Sequence, residues 1–243
     1  MIIVGIDTET TGLNDDDEVI EIGYVIYDTE TNYVLSSGSE LLEPTKWGSE
    51  AEKFHKIPES LTRVAKLKAV DVDLVKRISA YKPSVILAHN ASFDYPRIVK
   101  LWPGLKDFEW LCTKNDLDHA AVLGYQPQST RLMHLALEYG FYIIGWHRAM
   151  SDSEYVCKIA SKHDLEKALV NKKLPKYNIT AGGRYNSCGI TLMKQLKFRW
   201  NDDIKLWSRD GIKQEDLDDI VNKIKLTVPA WTITSAQVPS RPY

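Results

Sequence analysis

The chain has 243 residues, 44% of them hydrophobic, and its 33 acidic side chains against 31 Lys and Arg leave a net charge of −2. That length holds one domain of ordinary size plus a smaller appendage, and that composition builds a real core, which excludes a disordered or fibrous chain. No apolar run reaches the length of a membrane span, and the start lacks the pattern of a secretory signal. The three cysteines include no Cys-x-x-Cys pair, so they read as free thiols in a reducing, cytoplasmic compartment rather than as a zinc site.

Ile2-Ile3-Val4-Gly5-Ile6 is a short uncharged apolar run and reads as a buried central strand. Asp7-Thr8-Glu9-Thr10-Thr11-Gly12-Leu13 follows it. Side chains alternate along a strand, so Asp7 and Glu9 project to one face. Two carboxylates there repel each other and are costly to desolvate. A divalent cation between them removes that cost, and oxygen ligands suit Mg²⁺ or Mn²⁺. Gly12 lets the backbone turn sharply or approach a ligand closely. Asn14 to Asp17 is a polar turn. Val19 to Tyr27 and Tyr33 to Leu42 read as strands joined at residues 28–32, so the chain opens with an antiparallel meander. Residues 47–80 read as helical, most clearly Val70 to Tyr81 with Asp71 as cap.

Val85-Ile86-Leu87-Ala88 is a short strand, and His89-Asn90-Ala91-Ser92-Phe93-Asp94 follows at once. Ser92 suits the N-cap of a helix running to about Leu101, with Asp94 in its first turn. A strand-to-helix turn is a usual place for ligands in α/β sheets. Trp110 to Thr113 reads as a fifth strand. Leu117 to Leu123 and Thr130 to Tyr139 read as helices, the second ended by Gly140. Then comes His147-Arg148-Ala149-Met150-Ser151-Asp152. Five residues turn a helix by about 140°, so His147 and Asp152 cannot share a face of one regular helix. Asp152 is placed on a helix running to about Lys162, and His147 in the loop or first turn before it.

These segments together resemble the three motifs of the DEDD exonucleases, the DnaQ-like family. Asp7 to Leu13 is similar to the first motif, and residues 89–94 carry the whole of the second, His-Asn-x-x-Phe-Asp. Residues 147–152 match the third, His-x-x-x-x-Asp, in the form that defines the DEDDh branch. The resemblance covers residues 2–168. It implies a ribonuclease H-like α/β fold, a mixed five-stranded sheet flanked by helices, with the first three strands antiparallel. It implies 3′→5′ removal of nucleoside 5′-monophosphates from nucleic acid, here expected to be DNA. The catalytic set it implies is Asp7, Glu9, Asp94, Asp152 and His147: the four acids hold two divalent ions, Mg²⁺ or Mn²⁺, and His147 takes the proton of the attacking water. Thr10, Leu13, His89, Asn90 and Phe93 would lie near the terminal nucleotide. The expected partners are a single-stranded 3′ end, DNA or RNA, and a polymerase or other protein, with no membrane. Two rivals stand beside this reading: an RNA-directed exonuclease of the ribonuclease T or oligoribonuclease type, and a catalytically silent protein that binds nucleic acid or docks on a polymerase.

Charge is unevenly spread. Residues 1–30 carry nine acids and no Lys or Arg, whereas residues 172–213 carry ten Lys and Arg against Asp202, Asp203 and Asp210. The expected division is an exonuclease domain over 1–168 and a basic, aromatic α+β extension over 169–243. Within it, Leu174 to Tyr185 reads as linker, and the region around Phe198 to Trp207 as a hairpin turning at Asn201-Asp202-Asp203. Glu215 to Leu226 reads as an amphipathic helix, and 229–243 as partly irregular. Phe198, Arg199, Trp200, Lys205 and Trp207 either stack bases and hold phosphates or form the core of a small hairpin domain.

Overall fold

The structure is a computed structural model that describes residues 1–145, 147–239 and 241, leaving aside the side chain of residue 49. Two compact units are present, Met1–Lys172 and a second running on from Lys173.

The first unit is built on a five-stranded sheet of order β3-β2-β1-β4-β5. Its strands are β1 (Ile2–Thr10), β2 (Val19–Asp28), β3 (Tyr33–Leu41), β4 (Val85–Ala88) and β5 (Trp110–Cys112). The first three pair antiparallel, while β4 and β5 run parallel to β1. This is the expected ribonuclease H-like mixed sheet. Helices α1 (Ser49–His55), α2 (Glu59–Ala65) and α3 (Leu74–Ser79) lie between β3 and β4, and α4 (Ala91–Leu101) between β4 and β5. After β5 come α5 (His119–Leu123), α6 (Leu132–Glu138), α7 (Ala149–Ala160) and α8 (Leu165–Lys173).

Period-two alternation divides the sheet between two cores. Val4, Ile6, Ile22, Ile26 and Ile86 pack with Ile78, Ile98 and Trp102 on one face; Ile3, Val25, Val85 and Leu87 pack with Leu135, Val156 and Ile159 on the other. Asp7 and Glu9 share the odd-numbered face with Ile3 and Gly5, so they stand on the side that α7 covers. That helix lies very close to the sheet. A Cβ built on Gly5 would sit 2.2 Å from the Ser153 carbonyl oxygen, and one on Gly23 would sit 2.2 Å from the backbone of Ala149 and Met150. Both glycines are needed for backbone to meet backbone.

Several local expectations are corrected. The third helix starts after Asp73, whose side chain accepts from the Lys76 N–H, while Asp71 caps a separate short turn by accepting from the Lys68 N–H. Ser92 is not an N-cap: α4 begins at Ala91 behind Asn90, which stands in the left-handed region at φ 67°. Gly12 has no positive φ; a Cβ built there would sit 2.4 Å from the Asp17 carboxylate, which the glycine leaves room for. Gly140 does end α6, at φ 80°, with Phe141 N–H donating to Ala136 O and Gly140 N–H to Leu137 O.

The second unit has a four-stranded antiparallel sheet of order β7-β8-β6-β9. Its elements are β6 (Lys176–Gly182), α9 (Ser187–Gln195), β7 (Arg199–Asn201), β8 (Leu206–Lys213), α10 (Gln214–Thr227) and β9 (Thr232–Gln237). The expected linker over 174–185 is thus mostly a central strand, with Ile179 and Ala181 fully buried; Pro175, Gly182 and Gly183 mask its alternation. The expected irregular tail holds β9, an edge strand opened by β-branched Thr232, Ile233 and Thr234. Phe198 joins the core with Met193, Ile212, Ile220 and Ile224, whereas Trp200 is 46% exposed and meets Trp207 edge-on at 5.7 Å.

Candidate active site

Antiparallel register sets Asp7 opposite Gly23 and Glu9 opposite Glu21. The close seat of α7 over Gly23 then brings Asp152, one turn into that helix, to the end of β1. Donor atoms of Glu9, His147 and Asp152 lie within 4.8 Å of one another. Asp94, in the first turn of α4, is 2% exposed and fixed against β1: its Oδ1 accepts from Thr8 N–H at 3.1 Å and from Thr8 Oγ1 at 2.6 Å. His147 precedes α7 in the left-handed region at φ 54°, and its side chain is exposed. One carboxylate set is therefore held by sheet and helix, and one imidazole by a loop.

The acids crowd each other. Burial, then the charges of Asp94, Asp152 and Glu9, hold Asp7 well above the usual carboxylate range. Burial and the charges of Asp152 and Glu21 push Glu9 up to about 8. Burial raises Asp94 to about 7 despite its bonds to Thr8, and burial raises Asp152 to about 7 against the His147 N–H. Without a counter-charge these groups cannot all ionise near neutrality. Asp152 Oδ1 is buried with no hydrogen-bond partner among the described residues. Oxygen donors, an orphaned carboxylate oxygen and mutual repulsion together fit a hard divalent cation.

Two residues outside the expected set hold this arrangement. Glu21 is fully buried, and burial raises its carboxyl, but the Arg148 fork, Ser39 Oγ and the Ala149 N–H outweigh that and leave it below the usual range. Arg148 donates to it through Nε and Nη2 at 2.8–3.2 Å, Ser39 Oγ at 2.6 Å and Ala149 N at 3.1 Å. The clamp ties β2 to the start of α7, on either side of which His147 and Asp152 sit. Its signal in the sequence was a lone acid in the apolar run Val19 to Tyr27.

Of the residues expected near a terminal nucleotide, Leu13 is 84% exposed at the tip of a closed loop. Thr10 Oγ1 donates to Gly12 O, and Arg97 Nη2 donates to Asn14 O, so the loop is braced from both sides. The half-buried Phe93 ring has the Arg97 guanidinium 3.9 Å above it, and Asn90 starts α4. His89 is placed differently in chemical terms: its Nδ1 meets Thr113 Oγ1 at 2.9 Å and its Nε2 meets Thr130 O at 2.8 Å. Both ring nitrogens are engaged within the protein, so any part it has near a ligand is through its ring face.

Residues 4–160 match the profile of a family described as exonuclease, RNase_T, and the chain belongs to that family, in its DEDDh branch, a class of 3′→5′ exonucleases. It is 32% identical over 164 residues to DNA polymerase III subunit epsilon of Treponema pallidum (strain Nichols), a match covering 62% of this chain and 70% of that protein. Among solved structures, E. coli exonuclease I in complex with a dT13 oligonucleotide matches 93% of this chain and 70% of its own, with a TM-score of 0.61 and 14% identity. The nuclease domain of 3′hExo, described as a DEDDh family member bound to rAMP, matches 68% of this chain and 92% of its own, with a TM-score of 0.53 and 14% identity. At such identities these structures speak for the fold alone. Among the described residues no helix is long and apolar enough to cross a membrane.

Proposed function

We propose that the chain removes nucleoside 5′-monophosphates from the 3′ end of single-stranded DNA, with two divalent ions, Mg²⁺ or Mn²⁺, held by Asp7, Glu9, Asp94 and Asp152. The observation that carries this is the convergence of Glu9, Asp152 and His147 within 4.8 Å, beside two further acids, Asp7 and Asp94, whose carboxyls burial raises above the usual range. Ions bound there supply charge for the developing oxyanions and lower the pKa of water. His147 is exposed on a loop, so its imidazole can accept the water proton and return it to solvent. Thr8 fixes Asp94, and the Glu21–Arg148 clamp fixes the start of α7, so little reorganisation is needed when substrate arrives. Leu13, on its braced loop, and Phe93 offer apolar surface to the terminal nucleotide. DNA is preferred over RNA because of the likeness to a DNA polymerase subunit, which also suggests a polymerase as partner.

The test is a panel of 5′-labelled single- and double-stranded DNA and RNA oligomers with Mg²⁺, with Mn²⁺ and with EDTA. Stepwise shortening of single-stranded DNA that EDTA abolishes is expected. Faster shortening of RNA overturns the substrate assignment, and shortening that survives thorough chelation overturns the metal assignment.

A further inference from the structure

A cavity of about 520 Å³ adjoins His147, lined by Lys53, Phe54, His55 and Lys56 from the end of α1 and by His147 and Arg148 before α7. Its donors are only partly used. Arg148 spends Nε and Nη2 on Glu21, its Nη1 edge makes no hydrogen bond among the described residues, and half of its side chain is exposed. Lys56 terminates α1 at φ 58°, its N–H capping Glu52 O, and its exposed ammonium has no carboxylate within ion-pair reach among the described residues. His55 is 3% exposed; its Nδ1 accepts from the Ile57 N–H, which places the ring proton on Nε2, and that buried atom has no acceptor among the described residues. Phe54, between Lys53 and His55 in sequence, stands 66% exposed. The nearby acids Glu50 and Glu21 are tied to Lys53 and Arg148, which leaves Glu52 on this wall and Glu9 and Asp152 beyond His147 as the opposing charges. The wall is therefore short of acceptors, carries cationic edges and offers one aromatic face.

We propose that this cavity is the subsite for the nucleotide next to the 3′-terminal one, its 5′ phosphodiester held between Lys56 and the Nη1 edge of Arg148 and its base laid on Phe54. Cations that track a backbone beside an aromatic side chain are what single-stranded nucleic acid requires, and a stacked base plus a phosphate contact is worth about a tenfold change in affinity or more. The position next to His147 puts the subsite one step along the strand from the bond to be cut. The inference rests on the exonuclease reading above and names where its substrate continues.

The test compares wild type, Lys56→Glu and Phe54→Ala on single-stranded DNA with one, two and four phosphodiester bonds. Both residues are exposed, so folding is expected to hold, and melting curves check it. Lys56→Glu should raise KM about tenfold on the two longer substrates and at least fivefold less on the shortest, which lacks the phosphodiester 5′ to the penultimate nucleotide; Phe54→Ala, which removes a contact to a base that all three substrates carry, should raise KM about tenfold at every length. A rise with Lys56→Glu that is equal at all lengths or absent, or no rise with Phe54→Ala at any length, overturns the subsite. If wild type cuts none of the three, the exonuclease reading fails, and the subsite is judged by binding of a fluorescent tetranucleotide in Ca²⁺. Affinity there that Lys56→Glu and Phe54→Ala leave unchanged overturns it.

Discussion

The two units treat buried charge in opposite ways. Every buried polar or ionisable side chain among the described residues, including Glu21, Asp94, Arg97 and Asp152, lies in the first unit. The core of the second is aliphatic and aromatic, with its Lys and Arg at the surface or partly buried. In the second, local preference and packing agree, as in any small amphipathic α+β body. In the first, a set of groups is kept where water would be the better solvent, and the rest of the unit compensates. Such local conflict is the mark of a site selected for chemistry rather than for stability.

The sharpest way to break that contrast is Asp152→Asn. Activity should fall about 10⁴-fold, because several kcal/mol of cation-dependent stabilisation would go with the ligand. In EDTA at pH 8 the same variant should melt higher than wild type, by about 2–4 °C for each kcal/mol of repulsion relieved. A 3′-end release assay and a melting curve on one preparation decide it; a variant that loses both activity and stability would make Asp152 an ordinary structural acid. Next in size, His147→Ala should slow hydrolysis about 10²–10⁴-fold while leaving Mn²⁺ binding by calorimetry intact. Wild-type rates from pH 6 to 8 would remove His147 from the mechanism.

A third expectation concerns pH. Glu9 at about 8 and Asp94 and Asp152 at about 7 titrate in the folded chain above the values near 4 of an unfolded chain. The folded state therefore retains protons that the unfolded state has released. In EDTA, the stability these three acids contribute should be full below about pH 4 and be lost as pH rises through 7 to 8, whereas the Glu21 clamp weakens only in acid. Saturating Mn²⁺ should flatten that slope, and melting curves at pH 5, 6.5 and 8 with and without the ion measure it. The smallest effect is expected in the second unit. Lys197 and Arg199 are exposed there, so Lys197→Glu with Arg199→Glu should leave melting unchanged. If the unit extends the substrate groove, the pair should weaken binding of long oligomers and flatten its salt dependence. Normal binding of long oligomers at low salt would make this unit structural or partner-directed.

Much of the site was legible because its chemistry is written in local patterns. Alternation put Asp7 and Glu9 on one face, and the 140° offset separated His147 from Asp152. The scaffold was less legible where it depends on absence or distance. Gly5 and Gly23 matter for what they leave out, and Glu21 meets Arg148 across 127 positions. Nothing local marks such pairs. The second unit was read least well: β6 carries Ala181, Gly182 and three polar residues, and its identity as a strand comes from neighbours on both sides. Asn90 displaced Ser92 as the start of α4 because a left-handed residue turns the chain into the helix only one residue after β4, which a sequence-based choice among capping side chains does not anticipate.

The tight seat of α7 on the sheet also fixes a thiol. Cys157 is fully buried against Gly5, its Sγ 3.5 Å from Val25 O, and burial pushes it far above the usual thiol range, while Cys188 is exposed. Cys112 lies buried in β5, outside that seat. With Cys188 replaced by Ser, alkylation of Cys157 becomes a clock for the lifting of one helix, and alkylation of Cys112 a clock for opening elsewhere in the sheet. The ratio of the two rates, with and without Mn²⁺, would read how firmly the ions hold that helix down, in a protein that needs no added label.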